Sequence, residues 1–205
     1  MSTCVPFAAP AQADSCRAEI VALFDGGALD PFAQPPHAYD TTVYSPDGSV
    51  KYAFYTVFDT PLRSLSGIKG QVMTLAIGNR TWTGPGPEGP WTETPNALPA
   101  DLEVFHRTIR DQLARNVTAP VCHGLVETEG SRYLAYEFTT QTDPDAAQGG
   151  TYFGAREVDY IDPESGRLMR REQTGQFAHY QPEPGADRWV MVYRYDPAFG
   201  LRAPE

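Results

Sequence analysis

Four histidines, three cysteines and a set of strand carboxylates are the side chains of this chain that could do chemistry. His37, His106, His123 and His179 stand apart, and none belongs to an HxH, HExxH or Cys/His pattern with metal-ligand spacing. Cys122 and His123 are adjacent, so on a strand they project to opposite faces, a poor geometry for a thiolate–imidazole nucleophile. Ser15, Ser64, Ser66 and Ser165 lie outside any G-x-S-x-G elbow. Gly84-Pro85-Gly86-Pro87 is followed by no basic residue or helix at phosphate-loop spacing. Glu127, Glu129, Glu137, Glu157 and Asp159 fall on predicted strands, where two carboxylates could form an acid/base pair. Nothing in the sequence selects two of them, and cross-strand pairing with Arg132, Arg156, Arg170 or Arg171 is the expectation. The reading is therefore non-enzymatic, with no catalytic residue, metal or cofactor assigned.

The elements that must position these side chains are mostly strands. Apolar spacing at Cys16, Ile20, Leu23 and Phe24 predicts a first helix from Asp14 or Ser15 to about Gly26. Residues 28–40 are rich in Pro and read as a loop. Thr41–Tyr44 and Val50–Phe58 flank Ser45-Pro46-Asp47-Gly48 as a hairpin. Strands follow at Gln71–Ile77, Arg80–Thr83 and Trp91–Glu93. Leu102, Phe105, Ile109 and Leu113 mark an amphipathic helix over Ala100–Arg115. Five strands complete the chain, at about Val117–Thr128, Ser131–Thr140, Thr151–Ile161, Leu168–Phe177 and Arg188–Tyr195. Short turns rather than helical crossovers join them, which predicts an antiparallel α+β fold. Val50–Phe58 carries apolar groups on both faces, so each side of the sheet needs a cover: a helix, a loop or a ligand.

The 205 residues suffice for one sizeable core. A formal net charge of −10 and the lack of a basic stripe exclude nucleic acid as the expected partner. No stretch reaches the roughly 20 apolar residues of a membrane span, so no transmembrane segment is expected. The uncharged leader ends in Ala11-Gln12-Ala13 before Asp14, like the tail of a secretory signal cleaved after Ala13. A disordered Ala/Pro leader is the alternative. Residues 1–13 are thus set apart from one domain over 14–205. Such cleavage removes Cys4 and leaves Cys16 and Cys122, which then form a disulfide between the first helix and a strand. Two buried reduced thiols are the alternative.

Three segments resemble the LolA-like superfamily, which includes the outer-membrane lipoprotein carrier and the LppX-like lipid carriers. They are Val72–Trp82 leading to Pro90-Trp91, the Val158–Glu172 hairpin around Asp162-Pro163-Glu164-Ser165-Gly166, and the terminal Tyr193–Pro204. The chain departs from the family in having neither a Pro-Gly-x-Phe-Arg-Trp segment nor an acylation cysteine. The resemblance implies a single highly curved antiparallel sheet, an incomplete barrel, with helices over its concave face. It implies an exported, periplasmic, soluble protein that holds a lipid or acyl chain in the enclosed cavity. Tyr52, Phe54, Met73, Leu75, Tyr136, Phe138, Tyr160, Met191 and Tyr193 are the candidate lining residues, with plain core as the alternative for each. The competing function is an envelope scaffold that binds a protein partner and no ligand. An exposed aromatic patch around Trp82 and Trp91 would serve that function.

Overall fold

A computed structural model describes residues 10–68, 71–95 and 98–204; Cys4 and most of the leader lie outside them. Among the described residues, eleven strands form one open sheet in the order β6-β5-β4-β3-β2-β1-β11-β10-β9-β8-β7. All neighbouring pairs are antiparallel. The N-terminal meander comprises β1 (His37–Tyr44), β2 (Val50–Thr60), β3 (Arg63–Ile68), β4 (Met73–Ile77), β5 (Arg80–Gly84) and β6 (Thr92–Thr94). The C-terminal one comprises β7 (Thr118–Thr128), β8 (Ser131–Gln141), β9 (Phe153–Ile161), β10 (Leu168–Ala178) and β11 (Arg188–Tyr195). They join along β1 and β11, in register from His37↔Tyr195 to Tyr44↔Arg188.

This topology forces one long crossing. The chain leaves β6 at one edge of the sheet and re-enters at β7, the opposite edge. Helix α2 (Leu102–Arg115) lies in that connection. Its 14 residues span only about 21 Å. On a flat sheet the edges of 11 strands would be nearly 50 Å apart, at about 4.8 Å per step. The curl of the sheet shortens the crossing and sends α2 over one face.

Helix α1 (Pro10–Leu23) begins earlier than the capping pattern at Asp14 or Ser15 predicts. A proline is well tolerated in the first turn, where its missing N–H costs nothing, so Pro10 starts the helix and Ala11–Ala13 continue it. Cys16, Ile20 and Phe24, four residues apart, are buried against the sheet. The sulfurs of Cys16 and Cys122 are bonded, pinning α1 to β7. Arg17 adds hydrogen bonds to the carbonyls of Val117 (3.1 Å) and Arg115 (2.8 Å).

Two strands depart from the sequence expectation. β1 starts at His37, inside the expected loop, because pairing with both β2 and β11 overrides the local proline signal. β3 was not expected, since Arg63–Ile68 is short and largely polar; β2 and β4 hold it from either side.

The sheet has a core on each face. On the helix face, Cys16, Ile20 and Phe24 pack with Val117, Phe138, Ile161, Leu168 and Tyr193. On the other face, Ala38, Val57, Leu65, Met73, Leu75 and Trp82 form a second cluster. The C-terminal tail covers this cluster through Phe199 and Leu201. Leu201 is tied down at both ends of its peptide unit, by Asp59 on its N–H and Arg63 on its carbonyl.

Candidate ligand-binding trough

The helix face follows from the register. Counting every second residue across the ladders puts Phe138, Glu157, Gln173, Trp189, Val43 and Tyr52 in one row. Tyr136, Asp159, Arg171, Met191, Thr41 and Phe54 make the next. Strands β8–β11, β1 and β2 therefore form the floor of a trough, with α1 and α2 lying over it.

Helix α2 is tied down by polar contacts at both ends and midway through Arg107 and Arg110, while its apolar stripe is only partly covered. Near its start, Asp101 caps it by accepting from the Val104 N–H at 2.9 Å. Arg110 reaches buried Asp30 at 3.2 Å, and the Arg107 guanidinium lies 4.0 Å over the Phe32 ring. At the other end, Thr140 donates to the Leu113 carbonyl at 2.6 Å, and the Asp143 N–H donates to Gln112 at 3.1 Å. No residue of α2 is fully buried. Along the stripe, Leu113 packs on the helix-face core and borders a cavity of about 650 Å³, while Phe105 and Ile109 border a neighbouring one of about 420 Å³.

The 650 Å³ cavity has aromatic walls and a charged floor. Tyr52, Trp189, Phe153 and Phe177 supply rings. Gly154 makes room for the Phe177 ring; a Cβ there would also meet Gln141 Cβ and the Thr140 carbonyl at 2.7 Å. Glu157, Arg171, Gln173 and Gln176 supply the polar floor. Arg171 grips Asp159 with two hydrogen bonds, Nε–Oδ1 at 2.7 Å and Nη2–Oδ2 at 2.9 Å. Its Nε is also 3.3 Å from Glu157, whose other oxygen accepts from Gln173 at 2.8 Å. A β-bulge between Leu168 and Arg170, just after the Asp162–Gly166 turn, sets this meeting, because it shifts the ladder by one residue and places Arg171 opposite Asp159 and Gln173 opposite Glu157.

Burial opposes the charge on each member of the cluster. It pushes the Glu157 carboxyl above the usual carboxylate range, although Arg171 pulls the other way. Burial would also lower Arg171, yet the fields of Asp159 and Glu157 hold its pKa well above the ordinary value. Glu157→Gln therefore tests the cost of that carboxylate. A carboxyl raised in the folded state stabilises the fold while protonated, and this contribution fades as pH rises through its folded pKa. The variant is expected to gain on the order of 1 kcal/mol over wild type at pH 8. Urea denaturation should show that gain vanishing toward pH 4, whereas a pH-independent difference would mean the group does not titrate with folding.

Beyond Arg171 lies a second chamber of about 210 Å³, walled by His37, Tyr39, Phe58, Tyr193, Leu29 and Leu168. His37 Nδ1 is 2.9 Å from the Pro35 carbonyl, which can only accept, so Nδ1 carries the proton. Burial lowers the His37 pKa and raises those of Tyr39 and Tyr193, so all three stay neutral near pH 7.

Of the nine candidate lining residues, Tyr52 borders the larger cavity and Tyr193 the smaller. Phe54 shares their face and packs on Tyr52 and Trp189, with centroids at 5.1 and 5.7 Å. Phe138 faces the helices as part of the buried core, Met191 and Tyr136 pack against that core half-buried, and Tyr136 also borders a further cavity of about 770 Å³. Met73 and Leu75 do not line the trough. On the β3–β5 wing Leu65, Met73, Leu75, Ile77 and Trp82 point outward, and the helix-side positions are Ser64, Ser66, Ile68, Thr74, Ala76, Thr81 and Thr83. Tyr160 pairs with Ala135 on the outer face, against Tyr133. Trp82 and Trp91 do not form the exposed patch that a partner-binding scaffold would use: Trp82 is buried beneath the Arg80 guanidinium, and Trp91 packs on the second core.

Sequence reasoning missed Phe153, Phe177, Trp189 and the Glu157–Arg171–Gln173 floor as site residues. The acidic pair and the tight turn are visible in the sequence, but the β-bulge after the turn decides that Arg171 and Gln173, rather than Arg170 and Glu172, stand opposite them. Strand carboxylates do pair across strands as expected, Glu137 with Arg156 and Glu129 with Arg170. Glu157 and Asp159 face inward, but Asp159 is fully enclosed and held by Arg171, so the two cannot flank a substrate bond. Among the described residues, no group of three or more His, Cys, Asp or Glu could hold a metal ion.

Neither a family model nor a curated protein matches this sequence. Solved structures do. The lipoprotein LppX of Mycobacterium tuberculosis aligns at TM-score 0.51 with 11% identity, covering 88% of this chain and 94% of its own. LprF of Mycobacterium bovis aligns at 0.48 with 11% identity, covering 92% and 97%. A LolA superfamily protein of Nitrosomonas europaea aligns at 0.31 with 12% identity, covering 84% and 90%. At this identity the likeness is one of fold, and the fold is LolA-like.

Proposed function

We propose, from a LolA-like fold whose helix-covered face is hollow, that this protein binds the apolar chain of a lipid-like molecule beneath α2 and carries it outside the cytoplasm. The observation that carries the reading is the half-buried apolar stripe of α2 beside that cavity. Leu102, Phe105, Ile109 and Leu113 are apolar, yet none is fully buried, and Leu113 opens onto a cavity with aromatic walls. Filling that space with hydrocarbon would complete the burial of both layers, at about 0.8 kcal/mol per methylene. The Cys16–Cys122 disulfide and the Ala11-Gln12-Ala13 leader support an exported, periplasmic setting. Among the described residues, no helix is long and apolar enough to cross a membrane.

Native mass spectrometry of gently purified protein, followed by titration with a dansyl-labelled acyl chain, tests this. Saturable energy transfer from tryptophan to the probe is expected, since Trp189 lines the cavity. Ala155 is buried and also lines it, so Ala155→Phe should fill the space and weaken binding about tenfold or more, as a lost pocket volume of several methylenes implies. A protein that takes up no chain, in either measurement, would not be a carrier.

A further inference from the structure

When Glu157 is ionised, the floor of the 650 Å³ cavity carries one more negative than positive charge. Lys51 and Asp187 at the rim pair with each other at 2.8 Å and cancel. Inside, Arg171 faces two carboxylates. Its Nε and Nη2 donors are engaged by Asp159, with Glu157 a second, longer partner of Nε, so one cation is shared between two anions.

The two carboxylates are not equivalent. Asp159 is fully enclosed and does not border the cavity, while Glu157 lines it. A carboxylate has about four acceptor positions. Glu157 uses one oxygen for Gln173 and turns the other toward Arg171, which leaves acceptor capacity on its cavity side. Gln173 and Gln176 stand beside it, linked at 3.2 Å, as neutral hydrogen-bonding groups. The apolar rings of Tyr52, Trp189 and Phe177 begin immediately around this polar spot.

Such a surface discriminates between polar ends. A buried excess negative charge is costly unless a cation or strong donor answers it. Arg171 is already shared between two carboxylates, so an anionic head would add a third negative charge around that one positive charge. From this we infer that the cavity selects amphiphiles whose polar end is an ammonium group, with Glu157 as its acceptor. The assignment rests on the ligand reading above and adds the class of head group to it.

Dodecylammonium, dodecanol and dodecanoate share one chain and differ in the head, so they serve as probes. Calorimetric titration of delipidated wild-type protein and Glu157→Gln at pH 8 and low salt compares them. One charge-assisted hydrogen bond predicts that the wild type prefers the amine over the alcohol by about 10- to 100-fold. Dodecanoate should bind most weakly of the three. In Glu157→Gln the amine-to-alcohol ratio should collapse to about one, which loss of fold cannot mimic because the ratio is measured on bound ligands. Equal binding of all three, a preference for dodecanoate, or an unchanged ratio in the variant overturns the head-group assignment and leaves the carrier reading intact. If no probe binds, both fall.

Discussion

Arg171→Met is expected to cost about 3–5 kcal/mol of folding free energy, the usual loss when one partner of a buried ion pair is removed. The reason is what remains. Asp159 is fully enclosed and takes both of its side-chain hydrogen bonds from Arg171. Without the guanidinium it is a buried carboxylate beside a second one, Glu157. Removing the charge as well should therefore recover much of the loss, because a packed apolar pair often replaces a buried ion pair at little net cost. Urea denaturation of Arg171→Met, Asp159→Leu and the double variant closes a thermodynamic cycle with a large coupling. A loss below about 1 kcal/mol, or additive single effects, would mean the cluster is wet and loosely held. The same network sits between the two chambers of the trough, since Arg171 lines both. Its rigidity therefore bears on ligand shape as well as on stability.

Breaking the disulfide should cost about 2–4 kcal/mol, and chain-entropy arguments place the figure at the upper end because 106 residues separate Cys16 from Cys122. The crosslink binds α1 to β7, an edge strand of the sheet. Other ties remain in its absence, namely the two Arg17 hydrogen bonds and the burial of Ile20 and Phe24. Cys16→Ser/Cys122→Ser is thus expected to fold at 25 °C with a lowered denaturation midpoint. Hydrogen exchange should rise first in α1. Reductant should shift the wild type to the variant's midpoint and leave the variant where it is. A wild-type midpoint unmoved by reductant would show that α1 is held by packing alone.

Both predictions rest on pairings of distant residues, and the sequence bears on them unequally. Local periodicity sufficed for the α2 stripe, for the alternation along β8 and β11, and for the hairpin turn at Asp162–Gly166. These features repeat over a few residues and are set by backbone geometry. Cysteine arithmetic reached Cys16 and Cys122 because a disulfide needs only two partners and an oxidising setting. The resemblance of three segments pointed to a LolA-like fold, which the architecture bears out.

Tertiary structure decided which face is inside. Alternation shows that a strand has two faces but gives them no orientation, so Met73 and Leu75 read like Tyr52 and Phe54 yet point away from the trough. The first half of β1, His37–Asp40, was hidden because it also pairs with β11, at the far end of the chain, and no local signal marks that pairing. The charged floor is the clearest case. Glu157, Asp159 and Arg171 look like surface residues one at a time, and only the curl of the sheet beneath α2 encloses them where their charges must answer one another.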